Sequence, residues 1–159
     1  MLESSINYII MRTFPESLIL ILSGMILLDL KINIKKLVKQ SILLGICVVL
    51  IRILPINFGV HTVLSMIALG IMLFKIYSKD ILKICISICE IFISIILSEG
   101  IYVFLMTFIL NIPTEILMNN TSIKGALITL PSLAITFIIV LIFKKINTKI
   151  YKSLIKENI

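Results

Sequence analysis

"ILKICISICEIFISIILSEGIYVFLMTFIL", residues 81–110, decides the fold. Its only charged side chains are Lys83, Glu90 and Glu99. The apolar residues are continuous, without the polar–apolar alternation of a barrel strand, so the stretch predicts a helix. A helix of that length measures about 45 Å, longer than the ~30 Å hydrocarbon core of a bilayer. Entering near Ile84, it takes roughly 20 residues to cross, to about Val103. The remainder and "NIPTEILMNNTSIKG" (111–125) then lie at or beyond the outer surface, where Pro113 is placed to start a short interfacial helix. Asn119-Asn120-Thr121 is a glycosylation sequon with little weight in a bacterial chain.

The rest of the chain follows the same pattern. Further apolar segments run over about 14–30, 38–54, 58–76 and 126–143. With 60% hydrophobic and 14% charged residues, and a mean hydropathy of +1.21, 159 residues cannot furnish a water-facing surface. The expected fold is all-α: a polytopic membrane bundle of about five transmembrane helices. A domain over 1–145 is followed by a basic tail, 146–159.

Charge sets the expected orientation. Lys31, Lys35, Lys36 and Lys39 follow the first segment; Lys75, Lys79 and Lys83 join the third to the fourth; Lys144, Lys145, Lys149, Lys152 and Lys156 follow the fifth. Arg12, Arg52 and Lys124 remain for the other side. The positive-inside rule then predicts an outside N-terminus and a cytoplasmic C-terminus. The net charge of +7 is accounted for by anionic lipid rather than nucleic acid. Lysines after the first segment, with no small-residue cleavage site, argue against a signal peptide. The isoleucine-, lysine- and asparagine-rich composition associates the chain with an AT-rich bacterial genome, and the expected location is a bacterial cytoplasmic membrane.

Ionisable groups within spans cost about 2.5–3.5 kcal/mol each near mid-bilayer, so each needs a reason. In "IRILPINFGVHT" (51–62), Pro55 and Gly59 are expected to form a turn that brings Arg52 and the sole histidine, His61, to the outer mouth. Glu16 falls near the outer end of the first segment, and Glu99 roughly four residues, about 6 Å, short of the outer face. These four groups are predicted to share one outer depth, with acidic partners from two helices neutralising Arg52. Such a cluster either snorkels to the headgroups and holds register, faces a small ligand or sensing pocket, or lines an ion path. His61 is its natural pH-sensitive member. Glu90, nine residues from Glu99 and on the opposite helix face, is expected nearer mid-membrane, protonated or bonded to Ser87, and is the candidate relay residue.

Cys47, Cys85 and Cys89 lie in apolar runs and read as small hydrophobes, with neither disulfides nor a metal site expected. A cysteine peptidase is excluded by depth, because His61 and the cysteines fall at opposite levels. No phosphate loop, HExxH or GxSxG is present. Ser41-x-x-x-Gly45 and Ser94-x-x-x-Ser98 permit close helix approach. The tail aligns Phe143, Ile146, Ile150 and Leu154 on one face, extending the fifth helix or lying on the membrane.

The order of "FPESLILILSG", "IRILPINFGVHT", "LSEG" and "LPSLAI" resembles the N-terminal multi-span sensor region of Firmicutes GHKL-type, accessory-gene-regulator-like histidine kinases. The resemblance covers most of the chain. It implies that the membrane region receives an extracellular or lipid-phase cue while a cytoplasmic part carries out phosphotransfer. The matching positions are Pro15, Glu16, Arg52, Pro55, Gly59, His61, Thr62 and Glu99. The kinase part, its dimerisation histidine and its ATP-binding boxes have no counterpart here, so the chain is expected either to act through a separate partner or to be the membrane part of something longer.

The expected function is therefore a non-enzymatic sensory or regulatory membrane module without cofactors. Candidate partners are the lipid bilayer, a cytoplasmic signalling protein such as a histidine kinase, and a second copy of the chain. The alternative is a small substrate-binding or transport subunit of a membrane transporter. A purely structural membrane subunit is the third reading.

Overall fold

The computed structural model describes residues 6–54, 58–77, 80–111 and 123–157, with side chains described for 11–54, 60–77, 80–111 and 128–149. The described residues are all-helical, without a strand. The helices are α1 (Ile6–Leu27), α2 (Ile34–Ile53), α3 (Phe58–Ile76), α4 (Ile81–Phe104), which continues into a π-helical turn (Leu105–Ile109), and α5 (Ile123–Glu157). Two stretches are long and apolar enough to cross a membrane, Ile81–Ile109 and Ile128–Lys149; a shorter apolar one runs from Val60 to Ile76.

Local chemistry sets the helix ends. Asp29 takes a left-handed φ of 56°, while Leu30 N–H bonds to Met25 C=O at 2.9 Å, closing α1 with a C-terminal turn. Asn33 caps α2, its side chain accepting from Lys35 and Lys36 N–H. Leu54 is extended (ψ 139°), as the residue before a proline must be, and this stops α2.

α1 is the hub and packs against all four other helices. Its inner face carries Thr13, Ser17, Leu20, Ile21, Met25 and Leu28, all buried, at helical spacing. Gly24 lets α3 close in: a Cβ there would lie 2.6 Å from Leu73 Cδ2. Gly45 does the same for α2, with Phe14 Cδ1 at 3.1 Å and Ser17 Oγ at 3.2 Å from a Cβ placed there. Ser41 and Gly45 thus form the small-residue contact expected of them, and Ser17 Oγ donates to Ser41 C=O at 2.9 Å.

The interior combines an apolar core with small hydroxyl residues, and many large apolar side chains remain on the surface. Buried groups include Ser87, Ser94 and Ser98 on α4 and Thr129, Ser132 and Thr136 on α5. Exposed groups include Leu50, Val63, Ile67, Ile86, Ile96 and Ile138. Water drives apolar groups inward, whereas lipid offers no such drive and favours small polar residues at helix contacts.

The structure departs from the sequence expectations at several points. α1 begins well before residue 14 and contains Pro15. Gly59 belongs to the first turn of α3 rather than to a loop. Cys85 and Cys89 are exposed, not buried. α5 runs on through residue 146 to Glu157, so the helix extends into the basic tail. Pro55, Pro113 and the 119–121 sequon lie outside the described residues.

Candidate functional site

The ionic cluster assembles on α1. Arg52, in the last turn of α2, donates through Nη2 to Glu16 Oε2 at 2.8 Å and through Nη1 to Thr13 Oγ1 at 3.2 Å. One turn before Glu16, Arg12 Nη2 reaches Glu99 Oε1 on α4 at 2.9 Å. Arg12 and Glu16, four residues apart, share one face of α1, so this face carries one ion pair to α2 and another to α4.

Between the pairs lies a cavity of about 10 Å³ lined by Arg12, Glu16, Ser98, Glu99, Ser132 and Thr136, among others. That is room for about one water, far below the ~300 Å³ at which small-molecule pockets begin. Ser98 and Thr136 hydroxyls meet across it at 2.6 Å, and Tyr102 donates to Ile128 C=O in the turn of α5 that holds Pro131.

The predicted cluster is reorganised in three ways. First, Glu99 does not join Arg52. Its partner is Arg12, which charge counting had left as an isolated outer residue. Second, Glu99 lines the cavity together with Ser132 and Thr136 of α5, with its own side chain 52% exposed. Third, His61 and Thr62, both half-buried in α3, make no described contact with Arg52, Glu16 or Glu99. The Nδ1 of His61 is buried without a hydrogen-bond partner, and its carbonyl accepts from Ser65 at 2.8 Å.

Glu90 also takes another partner. Asn147 Nδ2 donates to its Oε1 at 2.7 Å, in place of the expected Ser87. Three residues earlier on α5, Lys144 Nζ contacts Asp29 Oδ2 at 2.6 Å and Leu27 C=O at 3.4 Å. Glu90, near the middle of α4, thus bonds to α5 within one turn of the lysine that meets Asp29. Among the described residues, no three His, Cys, Asp or Glu side chains come together as metal ligands.

Sequence reasoning missed Arg12, Thr13, Thr136, Asp29 and Asn147. One signal was legible: Arg12 and Glu16 at i and i+4, with Thr13 and Ser17 at the same spacing beside them. The pairing of Asn147 with Glu90 depends on the register of α4 against α5, which no local pattern specifies.

Comparison with protein-family models, curated proteins and solved structures finds no match for this chain.

Proposed function

We propose that the chain is a five-span, cell-membrane sensory or regulatory module, N-terminus outside and C-terminus cytoplasmic, with no catalytic chemistry of its own. Serines and threonines buried at the helix contacts, together with the many exposed branched apolar residues, support insertion. The lysine bias of the connections supports the orientation.

One observation carries the regulatory part: α1 joins two polar clusters at its two ends. Glu16 and Arg12 bind α2 and α4 at one end. At the other, Asp29 binds Lys144 of α5. α5 has 35 residues, about 52 Å, and outruns a ~30 Å core. A change at the Arg12–Glu99 pair that shifts α1 thus reaches the one helix long enough to carry it to a cytoplasmic partner. Coupling of this kind needs two discrete arrangements of α1, each bound differently by the cue.

The test is labelling of single cysteines, in a background without native cysteines, by a membrane-impermeant maleimide in intact cells. Cysteines replacing Glu16, Arg52 and Glu99 are expected to label from outside, and one replacing Glu90 only after permeabilisation. A second cysteine at Asn147 should change its labelling rate several-fold when Glu99 is replaced by Gln. Outside labelling at position 90 would favour a transport path instead. An Asn147 rate indifferent to Glu99→Gln would reduce the cluster to structural bracing.

A further inference from the structure

α3 and α4 touch at Gly70, where an added Cβ would meet Ile88 Cδ1 at 3.0 Å. From that contact toward the α3–α4 connection runs an open groove of about 380 Å³. Its walls are Ile67, Ile71 and Phe74 from α3 and Ile84 and Ile88 from α4. Cys85 lies in one wall, and Lys75 stands at the end nearest the connection.

Two properties set this groove apart from the rest of the apolar surface. It is concave and nearly free of polar atoms, the shape that accepts a flexible hydrocarbon chain. It also ends at a cationic group. Lys75 lines it, exposed in the last turn of α3. It makes no ion pair among the described residues. Asp80, preceding α4, is the one described acidic group at this corner and makes no side-chain capping bond. An apolar slot with a positive mouth is complementary to a single amphiphile with an anionic head. Lysines at the cytoplasmic rim between spans are suited to lipid phosphates.

We infer that the α3–α4 groove is a binding site for one acyl chain of an anionic phospholipid, its headgroup held by Lys75. The site rests on the membrane reading above. It lies on the side of the bundle formed by α3 and α4, apart from the Arg12–Glu99 cavity.

The test reconstitutes the full chain in phosphatidylcholine vesicles, with and without phosphatidylglycerol. Each lipid in turn carries a photoactivatable acyl chain, and cross-links are mapped by peptide. Phosphatidylglycerol is expected to cross-link α3–α4 groove residues and to be displaced by unlabelled phosphatidylglycerol but not by phosphatidylcholine. Lys75→Gln should lower that cross-linking about fivefold. Gly70→Leu, which fills the slot, should abolish it while leaving the chain monodisperse in detergent and extractable from vesicles only by detergent.

Equal groove labelling by both lipids, or labelling insensitive to Gly70→Leu, would overturn the site. A Cys85–Cys85 disulfide forming between copies at the lipid dilution used would also overturn it, by giving the groove to a second chain. Release of the wild-type chain by alkaline carbonate would instead sink the membrane reading. Retention with unspecific labelling defeats the lipid site alone.

Discussion

Asn147 donates a 2.7 Å hydrogen bond to the carboxylate of Glu90, and with it the charge of α4 is tied to the polar end of α5. The bond is exposed, and either side chain can turn toward water or headgroups. Glu90→Gln keeps an acceptor for Asn147 and should change thermal stability in detergent by about 1 kcal/mol or less. A collapse of the fold in that variant would show that the carboxylate has a buried role.

The Arg52–Glu16 pair is the better protected of the two at this end, with side chains 26% and 19% exposed. Arg52→Ala strands Glu16 in the bundle and should cost about 3 kcal/mol in a denaturation series. Arg12→Ala should cost less, about 1 kcal/mol, because its partner Glu99 is 52% exposed and can be resolvated. The reverse order would mean that Glu99 is drier than its surface indicates.

Ser98 and Thr136 offer a measurable helix–helix hydrogen bond. Each hydroxyl has a fallback carbonyl on its own helix, Ile95 for Ser98 and Ser132 for Thr136. A double-mutant cycle with Ser98→Ala and Thr136→Val should therefore give a coupling of only about 0.6 kcal/mol. A value several times larger would require that these fallback bonds do not form when the pair is broken.

Two glycines should respond oppositely. Gly24→Val drives a branched side chain into Leu73 and should cost about 1–3 kcal/mol. Gly100 has nothing within 4 Å of an added Cβ, so Gly100→Ala should stabilise α4 by up to about 1 kcal/mol through helix propensity. Paired melting curves of the two variants check both.

The three cysteines should react unequally with a lipid-soluble maleimide. Cys85 and Cys89 are exposed and Cys47 is partly covered, so the α4 pair should be modified first. Faster modification of Cys47 would contradict the packing of α2.

The helices were readable from the sequence because continuous apolar runs and their breakers are local properties. Leu54 before Pro55 and Asn33 before α2 show how directly such signals become boundaries. The small-residue faces at Ser41–Gly45 and Ser94–Ser98 were legible for the same reason. Ion-pair partners were not. Whether Glu99 meets Arg52 or Arg12 depends on how α4 packs against α1, which no local pattern specifies.

The interior hydroxyls bear on biogenesis. Ser41, Ser94, Thr107 and Thr136 each bond to the carbonyl four residues back on their own helix. They are satisfied before any neighbour arrives, so under the proposed membrane reading each helix can wait in lipid alone. The ion pairs of Arg12 and Glu16 instead reach other helices. Glu16 is neutralised as soon as α2 delivers Arg52, 36 residues later, but the bridge from Arg12 to Glu99 spans 87. Under that reading α1 is secured in two instalments during synthesis, the second only after two further helices have been made.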